Sequence, residues 1–448
     1  KLRIADPYTE KTLDPNDKWI DEATYPGLKP YPSGLTTGIT SLLQTAQEAY
    51  DWGTTSFTAP PQEDLVIYEL LVRDFLAAHD WKTLTDTLSY LDRLGINAIE
   101  LMPFNEFEGN ESWGYNPSFY FAVDKYYGPA RDLKVFIDSC HKRGLAVIMD
   151  MVLNHSYGQS PLVQMYFEMG KVSPDNPWYN VESPNPVFSW GYDFDHESPH
   201  TQDFVDRVNA FWLDSFKVDG FRFDFTKGFT NTPGDGWAYD ASRIAILKRM
   251  ADVIWSKNPD AYVILEHLTE NSEEIELSDY GMLLWGNTNY NYNEASMGWH
   301  ENGKSDFSWI SYQKRQWEKP HLVGYMESHD EERLMFKNLE FGNSSGTYNI
   351  RDLETALARM ELAGTFFFPI PGPKMIWQFG ELGYEVSIDD GCRICNKPIR
   401  WNYYEQPARR QVYELWADLI QLKSSEPVFS SSDFNLDVRG SVKHITLS

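Results

Sequence analysis

Short β-rich runs alternate with helical segments over most of this chain, and this alternation restricts its fold more than any other feature. Strict alternation of the two patterns is typical of a parallel sheet covered by helices. The runs begin at Val66, Ala98, Ala146, Gly220, Tyr262, Gly281, Leu322 and Lys374. Helical patterns between and after them cover residues 84–94, 132–143, 202–216, 353–363 and 406–422. Eight repeats fit a (β/α)8 TIM barrel, so the sequence predicts an α/β fold of that class.

Carboxylates recur where four of these runs end. The four segments carry Asp150 with Asn154 and His155, Arg222 with Asp224, Glu266 with His267, and Glu327 with His329 and Asp330. A single acid at a strand end is more often a cap or a surface ion pair. A parallel barrel, however, collects the carboxyl ends of its strands at one rim, where active sites lie. The ordered set therefore predicts one pocket lined by acids and histidines.

Two of these acids suit glycosidic bond cleavage. Arg222 and Asp224 are two residues apart on a strand and point the same way. An arginine beside a carboxylate favours its ionised form, which a nucleophile needs. Glu266 ends the next run, where partial burial favours the neutral acid that can protonate a leaving oxygen. Neighbouring strands lie about 4.8 Å apart, close to the roughly 5–5.5 Å between the two carboxyls of a retaining glycosidase.

The remaining polar residues suit the binding of a sugar. A third carboxylate, Asp330, can hydrogen-bond hydroxyls and stabilise positive charge in the transition state. The imidazoles of His155 and His329 suit the same hydroxyls. Tyr115, in the segment Trp113-Gly-Tyr-Asn-Pro117, offers a flat face for a sugar ring.

The overall composition favours a neutral substrate. The 448 residues carry a formal net charge of −27, which disfavours nucleic acid and anionic membrane surfaces as partners. No run approaches the roughly 20 apolar residues of a membrane-spanning helix. Of the three cysteines, Cys392 and Cys395 are spaced like a redox pair or half a zinc site, but no second pair completes a four-cysteine site. We expect free or incidentally paired thiols, and no disulfide that holds the fold together.

Three segments depart from the repeat. Residues 1–62, rich in proline, are predicted to be an extended connector on a domain surface. A connection without clear periodicity, residues 156–198, follows the third run and is long enough to be functional or a small subdomain. Residues 403–448 are expected to hold a last helix and, from Phe434, the opening of an antiparallel β domain. The barrel itself is assigned to residues 63–402.

The four acidic segments, in this order and spacing, resemble the four signature regions of the α-amylase family of retaining glycoside hydrolases. The segments that begin at Val66 and at Leu94 also resemble the first two strands of that family, and the resemblance covers about residues 62–402. It implies that residues 156–198 are a short domain B. It further implies that residues 1–62 end a preceding β-sandwich module, as in multi-modular bacterial members. An extracellular or periplasmic location is expected on the same ground.

The resemblance also assigns roles to the site residues. The implied nucleophile, general acid/base and transition-state stabiliser are Asp224, Glu266 and Asp330. The implied substrate-binding residues are Tyr115, His155, Arg222 and His329. Asp150 would support the others. The second signature departs from many calcium-dependent members, in which Lys-His stands where this chain has Lys227-Gly228, so acceptor contacts are not carried over.

No cofactor is required for this chemistry, but some members bind a structural calcium. Asn154 and Asp193 match the positions of two ligands in those members. Calcium takes six to eight oxygen ligands, so two candidates alone do not define a site.

Several activities fit the same catalytic trio. The leading hypothesis is a hydrolase of internal α-1,4-glucosidic bonds in starch-like polysaccharides or maltooligosaccharides. A glucanotransferase or branching enzyme would use the same covalent intermediate, and α-1,6 debranching is a third option. A different class of hypothesis is an inactive amylase-like protein that binds glycan.

Overall fold

The computed structural model describes residues 20, 22–36, 39–42 and 48–448. The predicted connector therefore lies in part outside the described residues. The domain boundaries proposed above remain predictions.

Eight parallel strands form a closed barrel, as the sequence predicts. The strands are β1 (Val66–Leu70), β2 (Ala98–Leu101), β3 (Ala146–Met151), β4 (Gly220–Phe223), β5 (Tyr262–Leu265), β6 (Leu283–Asn287), β7 (Leu322–Tyr325) and β8 (Lys374–Trp377). Their order is β1-β8-β7-β6-β5-β4-β3-β2, so each strand neighbours the next one in sequence and β1 pairs with β8. All eight predicted runs are strands. The largest difference between a predicted and an observed strand start is in β6, which begins two residues after Gly281.

Helices connect and cover these strands. They are α1 (Val72–Phe75), α2 (Trp81–Asp86), α3 (Leu88–Leu94), α4 (Ala130–His141), α5 (Pro161–Met165), α6 (Pro199–Phe211), α7 (Ala241–Lys257), α8 (Asn271–Tyr280), α9 (Asn289–Met297), α10 (Leu334–Phe341), α11 (Leu353–Phe367) and α12 (Pro407–Ser425). The single helix predicted over residues 84–94 is two helices, α2 and α3. Residues 202–216 form α6 followed by a π-helical turn, Trp212–Phe216.

Helix α4 illustrates why these segments are helical. Its buried apolar residues, Leu133, Phe136, Ile137 and Cys140, recur at the three- and four-residue spacing that places them on one face. Gly144 follows the helix with φ 77°, the left-handed conformation that glycine adopts at low cost after a helix end. None of the helices in the described part of the chain combines the length and hydropathy that a bilayer-spanning segment requires.

Contacts divide the chain into two compact units. Unit 1 comprises the described residues of Lys1–Ala59, with Leu71–Thr87 and Leu101–Tyr280, and it holds β3, β4 and β5. Unit 2 comprises Pro60–Leu70, Leu88–Glu100 and Gly281–Ser448, and it holds β1, β6, β7 and β8.

Short antiparallel pairs decorate the connections. They are Asn105–Phe107 with Pro117–Val123, His155–Ser156 with Tyr192–Asp193, Phe167–Glu168 with Lys171–Val172, Ser344–Ser345 with Tyr348–Asn349, and Phe434–Asp437 with His444–Leu447. The second and third pairs, with α5, give structure to the long connection after β3. The last pair is the antiparallel alternation expected from Phe434.

Cys392 and Cys395 form a disulfide that closes a four-residue loop, and Cys140 is a buried free thiol. The disulfide joins no separate elements of the fold. The expectation that disulfides do not hold this fold together agrees with that placement.

Candidate active site

Neighbouring strands β3, β4 and β5 place three acids and one arginine together in unit 1. In the parallel register Arg222 of β4 lies opposite Asp150 of β3 and Ile264 of β5. One step beyond, Phe223 lies opposite Leu265, so Asp224 and Glu266 directly follow a register pair. Backbone hydrogen bonds continue the strand pattern here, because the Glu266 N–H donates to the Phe223 carbonyl at 3.0 Å.

The guanidinium of Arg222 is the centre of this group. Its Nη1 donates to Asp150 Oδ1 and Oδ2 at 2.8 and 3.0 Å and to Asp224 Oδ1 at 3.4 Å. Its Nη2 lies 2.9 Å from Glu266 Oε2. Burial opposes the charged form, yet the carboxylates of Asp150, Glu266 and Asp224 raise the pKa of Arg222 well above its ordinary value. Arg222 thus contacts all three acids, and Asp150 binds it more closely than Asp224 does.

The backbone after Asp224 helps to hold Glu266. The N–H of Phe225 donates to Glu266 Oε2 at 2.9 Å. Phe225 adopts this position with φ 45° and ψ 48°, a left-handed conformation that costs a non-glycine residue roughly 1–3 kcal/mol. Leu268, two residues after Glu266, also has a positive φ, 51°. Such strain is typical of functional sites.

Tyr115 joins the same group through its hydroxyl, which donates to Asp150 Oδ2 at 2.6 Å. The Arg222 guanidinium lies 5.8 Å from the centre of the Tyr115 ring. The residue before it must be glycine, because Gly114 has φ 93° and a Cβ there would lie 2.1 Å from the Pro103 carbonyl oxygen. The half-buried ring of Tyr115 is thereby set beside the acids.

His155 is held entirely by neighbouring protein groups. Its Nε2 lies 2.9 Å from the Tyr115 carbonyl oxygen, and its Nδ1 lies 3.3 Å from Asn154 Nδ2. Burial lowers the pKa of His155 to about 4, although the Tyr115 carbonyl partly opposes that shift. The ring is therefore neutral near pH 7, and its two nitrogens contact the backbone of Tyr115 and the side chain of Asn154.

The region around Lys227 and Gly228 accounts for the departure from Lys-His. A Cβ on Gly228 would lie 2.0 Å from Asn154 Oδ1, so no side chain fits. The Lys227 ammonium lies 3.7 Å from the centre of the Trp237 ring, a cation–π contact. Burial, the largest cause, lowers the pKa of Lys227, while Glu266 acts in the opposite direction.

The two calcium candidates do not form a complete site. Asn154 Oδ1 is buried without a hydrogen-bond partner, which suits a ligand. Asp193, however, already accepts hydrogen bonds from Asn180 at 2.8 Å and from Ser183 at 3.1 Å. No group of three or more acidic, histidine or cysteine side chains among the described residues is arranged to hold a metal. Asn154 and Asp193 by themselves therefore do not fit a calcium site.

In unit 2, His329 and Asp330 follow β7 and are held by β1. Glu69 Oε1 lies 2.6 Å from His329 Nδ1, and Glu69 Oε2 accepts from the His329 N–H at 3.0 Å. His329 Nε2 lies 3.5 Å from Asp330 Oδ2. The Asp330 side chain is 41% exposed and also contacts Arg393, whose Nη2 lies 3.1 Å from Asp330 Oδ1.

Of the predicted residues, the structure brings Tyr115, Arg222, Asp224 and Glu266 together in unit 1, with His155 beside Tyr115. It brings His329 and Asp330 together in unit 2. Sequence reasoning did not identify Glu69 and Arg393 as members of these groups. Glu69 could have been noticed, because it is the acid inside the otherwise uncharged run Val66–Leu70, whereas nothing local marks Arg393.

Comparison with known proteins agrees with this architecture. The family model described as "Alpha amylase, catalytic domain" matches residues 54–191. A malto-oligosyltrehalose trehalohydrolase from Saccharolobus solfataricus is 29% identical over 256 residues, 56% of this chain and 40% of that protein. A 1,4-alpha-glucan branching enzyme from Oceanobacillus iheyensis is 26% identical over 396 residues, 82% of this chain and 59% of that protein. The structure of Amy13B from Eubacterium rectale superposes with a TM-score of 0.67 at 20% identity, covering 85% of this chain and 82% of that one.

An eight-stranded parallel barrel with acids and an arginine at the ends of successive strands is an arrangement of the kind found in barrel-type glycoside hydrolases. The chain belongs to the α-amylase family. It spans between two fifths and three fifths of the length of the two curated relatives above.

Proposed function

We propose that this chain hydrolyses internal α-1,4-glucosidic bonds of starch-like glucans with retention of anomeric configuration. The observation that carries the proposal is the position of Asp224 and Glu266, which follow paired residues of neighbouring strands and share Arg222. Neighbouring strands are about 4.8 Å apart, which suits the short carboxyl separation of a double displacement. The substrate would be an α-glucan polysaccharide or a maltooligosaccharide.

In the first step, a carboxylate oxygen of Asp224 attacks the anomeric carbon. The bond to the glycosidic oxygen breaks, and that oxygen takes the proton of Glu266. In the second step, Glu266 removes a proton from water, the water oxygen attacks the anomeric carbon, and Asp224 is released. No step requires a metal or a cofactor.

The other site residues would prepare these steps. Arg222 orients Asp224 and Glu266 through one buried guanidinium, and Asp150 holds that guanidinium through Nη1, the nitrogen that also contacts Asp224. Tyr115 would stack under the sugar ring at the cleavage point, with His155 fixing its backbone. Asp330, held by His329 and Glu69, would stabilise the positive charge of the oxocarbenium-like transition state.

A transferase is the second candidate, because the branching enzyme aligns with 82% of this chain. It would form the same glycosyl–Asp224 intermediate, and a sugar hydroxyl instead of water would then attack. Debranching at α-1,6 bonds would likewise retain the trio.

Product analysis tests the proposal. The enzyme would be incubated with maltoheptaose, amylose, pullulan and amylopectin, and products followed by chromatography and by proton NMR for the first-formed anomer. We expect shorter maltooligosaccharides of α configuration from maltoheptaose and amylose. Products longer than the substrate, or new α-1,6 branches, would identify a transferase. Release of linear chains from pullulan or amylopectin alone would identify a debranching enzyme, β-configured products would exclude retention, and glycan binding without products would indicate an inactive protein.

A further inference from the structure

Asp330 is contacted from two sides by groups of unit 2. His329 Nε2 lies 3.5 Å from its Oδ2, and Arg393 Nη2 lies 3.1 Å from its Oδ1. The same Arg393 nitrogen donates to the backbone carbonyl of Asp330. One guanidinium group therefore holds both the main chain and the side chain of this acid.

The histidine side of this arrangement is rigid. Glu69 binds both Nδ1 and the backbone N–H of His329, and both residues are buried. The arginine side is different, because the Arg393 side chain is 49% exposed. An exposed ion pair contributes little when a long side chain must be ordered to form it, so Arg393 depends on the loop that carries it.

That loop is constrained at both ends. Arg393 is the second residue of the loop that the Cys392–Cys395 disulfide closes, with the two Cα atoms 5.1 Å apart. Lys397 donates to the carbonyls of Asp390, at 2.9 Å, and Cys392.

The segment that precedes the loop is tied to the acid's own segment. Ser387 Oγ and the Ile388 N–H donate to the carboxylate of Glu332, two residues after Asp330, at 2.7 and 3.1 Å. The loop is thus anchored next to the residue that Arg393 contacts.

We propose that Arg393 is a positioning residue for Asp330 and that the Cys392–Cys395 disulfide holds it in place. The proposal rests on the function proposed above, in which Asp330 acts on the sugar. Arg393 fixes the Asp330 carboxylate in the orientation that the transition state requires. Because Cys392 is exposed, a dithiol reductant can reach the bond. The reductant transfers two electrons and two protons to the disulfide, which yields two cysteine thiols and the cyclic oxidised dithiol.

The test compares Arg393→Gln, Arg393→Lys and the control Arg410→Gln on maltoheptaose. Arg410 is a matched control because it is 46% exposed and pairs with Glu414 at 3.4 Å on α12. Misplacement of a catalytic group costs on the order of 10²-fold, so we expect Arg393→Gln to lower kcat/KM by about 10- to 100-fold, mostly in kcat. Arg393→Lys, which keeps the charge, should restore part of that loss, and Arg410→Gln should stay within twofold of wild type.

A value within twofold of wild type for Arg393→Gln would overturn the proposal, as would an effect on KM alone. Asp330→Asn separates this failure from failure of the proposed function. If Asp330→Asn is inactive while Arg393→Gln is fully active, only the role of Arg393 is wrong. If Asp330→Asn keeps wild-type activity, the role proposed for Asp330 fails as well.

The disulfide is tested with dithiothreitol. Reduction should lower the kcat of the wild type about 3- to 10-fold, a smaller effect than loss of Arg393 because the side chain is still present. The Cys392→Ser/Cys395→Ser variant should have the same kcat as dithiothreitol-treated wild type, whether or not reductant is present. A double variant with full wild-type kcat would overturn the role of the disulfide. The role of the disulfide would also be overturned if the wild type kept its full kcat after thiol titration had shown that the disulfide was completely reduced.

Discussion

Two arginine–carboxylate groups in this protein differ sharply in their surroundings. In unit 1, the side chains of Arg222 and Asp150 are both 0% exposed, and one guanidinium contacts three acids. In unit 2, the side chains of Arg393 and Asp330 are 49% and 41% exposed, and the Arg393 guanidinium contacts the Asp330 carboxylate.

Stability and function can be separated experimentally more readily in the exposed pair than in the buried group. A buried charge that loses its partners is strongly destabilising, whereas an exposed pair contributes about 0–1 kcal/mol. Substitutions in the buried group therefore risk the fold together with the chemistry. Substitutions in the exposed pair can report on chemistry alone.

The largest expected effect comes from Asp224→Asn. Removing the nucleophile should lower kcat on maltoheptaose by at least about 10³-fold, because no covalent intermediate can form. The melting temperature should change little, since Asp224 is the most distant acid from the guanidinium. Asp203→Asn, at a 63% exposed position paired with Arg207, is the control and should retain full activity. Residual activity within tenfold of wild type would refute the assignment of the nucleophile.

Comparison of Arg222→Met with Arg393→Met measures the contrast in stability directly. Arg222→Met leaves Asp150, Asp224 and Glu266 without their shared cation, so we expect a loss of about 3–5 kcal/mol in the free energy of unfolding. Arg393→Met should cost less than about 1 kcal/mol. Urea denaturation followed by fluorescence gives both values. Equal losses would show that burial does not govern these two groups.

Glu381 is a buried carboxyl that is not paired with an arginine, and it links the comparison of buried and exposed acids to the pH dependence of stability. Burial raises the pKa of Glu381 to about 7, although the Tyr90 and Tyr68 hydroxyls donate to its Oε1 and partly oppose the shift. Its Oε2 is buried without a hydrogen-bond partner. The folded state therefore binds a proton that the unfolded state releases near pH 4.5. This contribution to stability is complete below that value and is lost as the pH rises to about 7.

Glu381→Gln should therefore resemble wild type at pH 4.5 and be more stable at pH 8, by about 2 kcal/mol. Burial also raises the pKa of Glu327 and of Glu331 to about 7. Both remain in the variant, so the difference between the two proteins isolates Glu381. Urea midpoints at pH 4.5, 6 and 8 measure it, and a pH-independent difference would contradict the burial argument.

The smallest expected effect is that of calcium. Because Asp193 is already engaged by Asn180 and Ser183, we expect EGTA to shift the melting temperature by no more than about 1 °C relative to added calcium. Differential scanning fluorimetry measures the shift. A decrease of several degrees in EGTA, reversed by calcium, would show a calcium site that includes other oxygens.

The sequence allowed the barrel to be predicted, and it identified the candidate acids that follow the barrel strands. The spacing and composition of apolar residues predicted the positions of the strands, because a strand buried on both faces needs a continuous apolar run. The candidate acids could be identified because each lies at or after the end of such a run. The predicted start of β6 was less accurate, because Gly281 and Met282 continue the apolar pattern without joining the strand.

The positions of the strands and the identity of the residues that follow them could be read from the chain, because local pattern and strand length carry that information. How the charges are shared became clear from the folded structure alone. It showed that Arg222 serves three acids, that Glu69 holds His329, and that Arg393 reaches Asp330 from 63 residues away. Such partners depend on contacts between distant segments, and no local pattern in the chain encodes them.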